Sequence, residues 1–192
     1  MTSAAVPLRR DLVNMPDAAL VQLVLDGDRD AYEPLVNRHQ MLLYRHACGM
    51  GLDHDTSLDL VQDAFVRAYT RLAECHEPAH FRAWAFRIAR NLCLDHLKNV
   101  RRLSVPMSHV DGIDEIPDDV DGERDVDHTL RQALMRLPLA LRDAFLLKHD
   151  AGYTYEEVAE LTQASPSAVD THLHRARESL RAFLIEQGIS TR

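Results

Sequence analysis

The sequence predicts an all-α fold of two helical domains joined by an extended acidic linker, the C-terminal domain being a helix-turn-helix. Three observations predict it. Apolar residues recur at three- and four-residue steps on both sides of residues 103–127, and no alternating strand pattern appears in the N-terminal half. Only 7 Gly among 192 residues leave little for Gly-rich phosphate loops or tightly turned β-architecture. Residues 103–127 hold nine acids (Asp111, Asp114, Glu115, Asp118, Asp119, Asp121, Glu123, Asp125, Asp127) against the single base Arg124, with Pro106, Pro117, Gly112 and Gly122 between them. Such a stretch lacks helical periodicity and repels itself, which is how a spacer is built.

The length suits one ordinary domain or two small ones, and 46% hydrophobic with 27% charged residues is globular rather than disordered, collagenous or membrane-embedded. Cys48, Cys75 and Cys93 form no CxxC pair, which fits free thiols in a reducing compartment. Arg9 and Arg10 interrupt the N-terminus before any apolar stretch of signal-peptide length, and no segment approaches about 18 uncharged apolar residues. A soluble, cytoplasmic protein without membrane insertion is expected.

In the N-terminal half, Asp17 is an N-cap candidate for a helix to Asp26, with Leu20, Val21, Val24 and Leu25 as its apolar positions and Gly27 as its stop. A second helix runs from about Arg29 to Cys48, with Pro34 tolerated near its first turn and Gly49 and Gly51 ending it. A third spans roughly Asp55 to Leu72. The fourth runs from near Pro78 to about Val100, with Phe81, Ala85, Ile88, Ala89 and Leu92 along one side.

The net charge of -8, taken alone, argues against a nucleic-acid partner, but residues 103–127 account for all of it. From Arg67 to Arg102 there are eight bases and three acids. On the fourth helix, Arg87, Arg90, Asn91, Leu94, Asp95, Lys98, Arg101 and Arg102 project within an arc of about 140°. Phe81, Trp84 and Phe86 stand at its start. Guanidinium groups beside aromatic rings suit a nucleic-acid backbone with an unstacked base, and the same pattern equally describes core anchors behind a solvated basic face.

The C-terminal half is more specific. Leu130–Leu137 and Leu139–His149 read as helices divided by Pro138, and Gly152 ends the second. Thr154 and Glu157 have capping-box spacing at the start of TYEEVAELT. A turn, Gln163–Ser165, leads to a helix with Ser165 as N-cap and Pro166 at its first position, striped by Val169, Leu173, Ala176, Leu180 and Leu184. Cap, turn, proline and stripe together make a helix-turn-helix, although a helical hairpin that binds no DNA shares the pattern. In the DNA-binding motif the second helix enters the major groove, so Ser167, Asp170, Thr171, His174 and Arg175 are candidate base readers and Arg177 and Arg181 candidate phosphate contacts.

DLVQDAFVRAYTRL (59–72), FRAWAFRIARNLCLDHLKNVRR (81–102) and LPLALRDAFLLKHDAGYTYEEVAEL followed by SPSAVDTHLHRARESL resemble the extracytoplasmic-function sigma factors of bacterial RNA polymerase. The resemblance covers about Asp17 to Leu184 in the family's order of domains. It implies a dissociable initiation subunit that docks on core RNA polymerase, recognises and opens promoter DNA, uses no cofactor and catalyses no covalent reaction. The implied organisation is an N-terminal tail 1–16, sigma region 2 at 17–102, the acidic linker 103–127, sigma region 4 at 128–187 and a C-terminal tail 188–192. By position, Asp59, Leu60, Gln62, Asp63 and Arg67 match the contact with the clamp helices of the largest polymerase subunit. The loop 74–80, with Cys75, His76 and His80, matches the loop that captures a flipped minus-ten base. Trp84 lies beside it, Asn91 and Asp95 match base readers, and Arg87, Lys98, Arg101 and Arg102 match phosphate contacts. Ser167, Asp170, Thr171, His174, Arg175 and Arg177 fall in the minus-thirty-five reader, and an anti-sigma partner is implied.

Asp170 and His172 stand where the family commonly carries bases, and Leu58 where it often carries an acid. An acid accepts from a cytosine amino group but makes no bidentate contact to guanine. Cys75, His76 and His80 lack a fourth ligand for zinc, so no metal is expected. A helix-turn-helix regulator that replaces no sigma subunit is the alternative; it leaves residues 59–102 without a task.

Overall fold

Local capping chemistry decides where several of the helices begin. The computed structural model describes residues 12–103 and 124–188, which form helices, 3₁₀ turns and loops with no strand among them. Residues 104–123 of the expected linker 103–127, residues 1–11 of the expected N-terminal tail 1–16 and residues 189–192 of the expected C-terminal tail 188–192 lie outside the described residues. Eight α-helices follow in order: α1 Asp17–Leu25, α2 Tyr32–Gly49, α3 His54–Thr70, α4 Phe81–Leu103, α5 Arg124–Arg136, α6 Leu139–His149, α7 Tyr155–Thr162 and α8 Pro166–Glu186. Helix α5 begins at Arg124, inside the stretch expected to be linker.

Asp53 caps α3, accepting from the Thr56 N–H at 2.8 Å and the Thr56 hydroxyl at 2.7 Å. Those bonds hold its carboxyl below the usual range. Asp17, expected to cap α1, does not: Pro16 is the N-cap residue and makes no side-chain cap. The Asp17 carboxylate turns back to α2, where it accepts from Arg38 and lies 2.7 Å from His39 Nε2. The expected second helix begins as a 3₁₀ turn, Arg29–Ala31, capped by Asp28, and becomes α-helical only at Tyr32. Gly27 ends α1 with φ 105°, the left-handed conformation a glycine takes without strain.

In the N-terminal half, α2, α3 and α4 pack against one another, and α1 closes one end over Leu35, Leu72, Phe81 and Ala85. The two halves share a core. Leu43, Val61, Phe65, Phe86 and Ala89 are continuous with Ala144, Leu147, Val158, Leu161, Val169 and Leu173. A second cluster joins Met50, Leu94 and Leu97 to Leu134, Leu137, Leu146 and Leu180. The stripe of α8 ends on buried Phe183 rather than on Leu184.

Candidate nucleic-acid interface

Both caps read from the C-terminal sequence form. Thr154 Oγ1 accepts from Glu157 N at 3.2 Å while Glu157 Oε2 accepts from Thr154 N at 2.7 Å. Ser165 Oγ accepts from Ala168 N at 3.2 Å, and Pro166 opens α8. Between the helices Gln163 takes φ 55°, a left-handed conformation for a residue with a Cβ, and this sets the direction in which α8 leaves the turn. Val169, Leu173, Ala176 and Leu180 face the core. Ser167, Asp170, Thr171, His174, Arg175 and Arg177 are all exposed on α8. Three of these carry local bonds: Thr171 Oγ1 donates to Ser167 O at 2.9 Å, His174 lies 3.4 Å from Glu178, and Arg177 Nη2 donates to Tyr155 OH at 3.3 Å.

On α3, Asp59, Gln62, Asp63 and Arg67 are exposed, and Arg67 and Asp63 are 4.0 Å apart. Leu60 is half-buried, packed in part against the cluster of Ala47, Leu52 and Cys93. Val66 at 62% exposure and Tyr69 at 38%, neither of them among the expected contacts, join Leu58 in adding exposed apolar area to the polar face. Four-residue steps from Leu58 through Gln62 to Val66 were the available signal.

Helix α4 divides the basic face expected of it. Asn91, Asp95, Lys98, Arg101 and Arg102 are exposed, with Lys98 Nζ 3.4 Å from Asp95 Oδ1. Arg90 is not on the surface: at 9% exposure it donates from Nε and Nη2 to Asp143 Oδ2 at 2.8 and 2.5 Å and from Nη1 to Leu161 O at 2.9 Å. Arg87 is exposed but bonded across the halves to Glu160 Oε1 at 2.6 Å. Phe81 and Phe86 are core anchors, while Trp84 is half-buried and tilted against Phe81 at 6.0 Å. The loop before α4 consists of two 3₁₀ turns, Leu72–Glu74 and Pro78–His80. Its exposed polar groups are Glu74, His76, Glu77 and His80; Glu74 Oε2 lies 2.6 Å from Arg71 Nη2 and His80 Nδ1 lies 2.6 Å from Glu77 Oε2. Cys75 is buried against Leu72 and Phe81, its thiol donates to Glu77 O at 3.7 Å, and burial pushes its pKa up. In this conformation Cys75 supports the loop from beneath and offers no surface to a base. Among the described residues no three His, Cys, Asp or Glu side chains converge as metal ligands.

Two family models match: sigma-70 region 2 over residues 35–103 and sigma-70 region 4 over residues 127–180. The chain belongs to the sigma-70 family. Its relatives place it among the extracytoplasmic-function sigma factors. RNA polymerase sigma factor NccH of Alcaligenes xylosoxydans xylosoxydans is 33% identical, over 88% of this chain and 94% of its own. The extracytoplasmic-function sigma factor SigW of Bacillus subtilis is 27% identical, over 85% of this chain and 94% of its own. The solved structure of CnrH in complex with the cytosolic domain of CnrY superposes with a TM-score of 0.69 at 27% identity, covering 90% of this chain and 99% of CnrH. This sigma factor therefore serves RNA polymerase in promoter recognition and transcription initiation, and the region 2 match gives residues 59–102 the task that a stand-alone regulator leaves empty. No described helix is long and apolar enough to cross a membrane.

Proposed function

We propose that the sigma factor divides its work among three exposed helical faces. The face of α3 carrying Asp59, Gln62, Asp63 and Arg67, edged by Leu58, Val66 and Tyr69, meets the polymerase clamp helices. An acid and amide face with an apolar edge gives a helical partner both register and buried area. On α4 and the loop before it, His76, His80, Trp84, Asn91 and Asp95 take an unstacked minus-ten base, and Arg87, Lys98, Arg101 and Arg102 hold phosphates. Unstacking a base costs a few kcal/mol, which ring contacts and the phosphate contacts offset. Ser167, Asp170, Thr171, His174, Arg175 and Arg177 read the minus-thirty-five duplex.

The observation that carries this reading is the exposure of all six α8 residues opposite a buried stripe, on a helix whose start is fixed by Ser165 and Pro166. The chain supplies binding energy and no covalent chemistry, and it acts in the cytoplasm. An anti-sigma partner is proposed by analogy with CnrH, which is solved with the cytosolic domain of CnrY. Run-off transcription by core polymerase reconstituted with the chain, on a promoter library at fixed salt, tests the reading. Transcripts from a shared motif are expected, with Asn91→Ala losing minus-ten discrimination and Asp170→Ala changing minus-thirty-five preference. Unchanged preferences in both variants refute the assignment.

A further inference from the structure

We propose that α8 reads the minus-thirty-five duplex through hydrogen-bond acceptors: the face it turns to the major groove selects a cytosine opposite Asp170, by its exocyclic amino group, and rejects guanine there. This rests on the proposed role of α8 as the minus-thirty-five reader. Ser167, Asp170, Thr171 and His174 stand at i, i+3, i+4 and i+7, so at about 100° per residue they project within an arc of about 100°. All four are exposed, and the buried stripe of Val169, Leu173, Ala176 and Leu180 is centred about 140° away. Pro166 to His174 contains no Lys or Arg. Arg175 and Arg177, the first bases of the helix, fall just outside opposite edges of the arc, so its centre holds no cation.

The hydrogen-bonding groups at that centre are lopsided. The Asp170 carboxylate accepts through two oxygens and donates nothing, and it makes no hydrogen bond or ion pair with another described residue. Thr171 Oγ1 gives its proton to Ser167 O at 2.9 Å, which leaves a methyl group and an acceptor oxygen. His174 Nε2 lies 3.4 Å from Glu178 Oε1. An acid beside Nε2 favours the tautomer with its proton there and leaves Nδ1 as an acceptor. Of the four, Ser167 alone keeps a hydroxyl proton to give.

Base edges answer this face unequally. Guanine shows the acceptors N7 and O6 in the major groove; set against a carboxylate, they repel it and leave it desolvated without a partner. Adenine offers its N6 amino group, but between two acceptors, its own N7 and O4 of the paired thymine. The cytosine N4 amino group has an acceptor on one side only, O6 of the paired guanine, and a carbon-bound hydrogen on the other. It is the edge on which an uncommitted carboxylate meets a donor with the least repulsion. A pair with its cytosine toward Asp170 is therefore the best partner, and the same pair reversed is the worst.

The test uses holoenzyme reconstituted from core polymerase and the full chain, with a DNA pool in which the minus-thirty-five segment of a transcribed promoter is randomised. Bound DNA is recovered at fixed salt and sequenced. Wild type is expected to enrich cytosine over guanine at one position by at least about tenfold. Asp170→Asn is expected to turn the preference at that same position to adenine, and Asp170→Arg to guanine, each being the bidentate partner of the new side chain. Removing a negative charge from the groove strengthens binding to every sequence, so the readout is the ratio between sites within one pool and not the affinity. Asp170 is exposed and uncommitted in the fold, so both variants are expected to melt with wild type. A wild-type preference for guanine at the position that the Asp170 variants alter overturns the proposal. Preferences that respond to Ser167→Ala, Thr171→Ala or His174→Ala but to neither Asp170 variant overturn it too, and leave α8 as the reader. Preferences unmoved by all of these variants overturn both the proposal and the role of α8 on which it rests.

Discussion

His46 gives the contact between the two halves a pH dependence that is measurable in the intact chain. The ring is 2% exposed on α2, 4.7 Å from the Phe86 ring centroid, with Nε2 3.5 Å from Asp143 Oδ1 and Arg90 on the far side of the same carboxylate. Burial lowers its pKa from 6.5 to about 4; Asp143 opposes that shift and Arg90 adds to it. A base with a depressed folded pKa binds fewer protons folded than unfolded, so its contribution is complete above pH 6.5 and declines as pH falls toward 4. Relative to pH 7, the loss is about 2 kcal/mol at pH 5 and about 3 kcal/mol at pH 4. The perturbation is His46→Leu, near in volume and without a proton to gain. Urea unfolding followed by the fluorescence of Trp84, the sole tryptophan, and by helicity gives both stabilities at pH 7 and pH 5. Burial depresses His39 and His149 as well, but both remain in the variant and cancel in the difference. The variant is expected to gain about 2 kcal/mol on wild type between the two pH values. A difference that stays flat with pH refutes the placement of a neutral His46 against Asp143.

Other predictions concern the helical faces. Ser165→Ala removes the α8 cap and is expected to cost about 1 kcal/mol of stability, read by thermal unfolding of the full chain. Asp63→Lys is expected to weaken binding to core polymerase in a salt-dependent manner, measured by competition with the wild-type sigma factor, while leaving the melting temperature within about 2–4 °C. Arg177→Ala is expected to weaken minus-thirty-five duplex binding equally for all sequences and to reduce the salt slope by about 0.9, in holoenzyme titrations.

What the sequence made legible was local. The Thr154 capping box, the Ser165–Pro166 start of α8 and the limits of α6 depend on residues three or four apart, and they stand where their spacing put them. Asp17 failed as a cap because Arg38 and His39, more than twenty residues on, offered its carboxylate a better partner than the free N–H groups of α1. Arg90 and Cys75 failed for a related reason. A 3.6-residue period tells which side chains share an arc of α4, but not that α6 and α7 will cover part of that arc. The acid that receives Arg90 lies 53 residues later and beyond the acidic stretch. The charge excess was expected on the exposed face, while the structure places Arg82, Arg87 and Arg90 against Ala151 O, Glu160 and Asp143 of the C-terminal half.

Burying an ion pair between the halves makes it a weak but sensitive contribution to stability. Two charges taken from water lose hydration that their mutual attraction only roughly repays, so a buried pair adds little to stability although breaking it one-sidedly is costly. On unfolding, Arg90 and Asp143 are rehydrated together, so the pair adds little to the free energy that separates folded from unfolded chain. When one partner is missing, the other is left buried without its partner and the fold bears that cost. Arg90→Leu and Asp143→Leu are each expected to destabilise the fold by about 3–5 kcal/mol, whereas the double variant is expected to lie within about 1–2 kcal/mol of wild type. Urea unfolding and scattering on all four chains measure the cycle. A double variant as unstable as the sum of the two singles would mean that each residue acts alone, and that the ion pair contributes nothing to how the two halves are held.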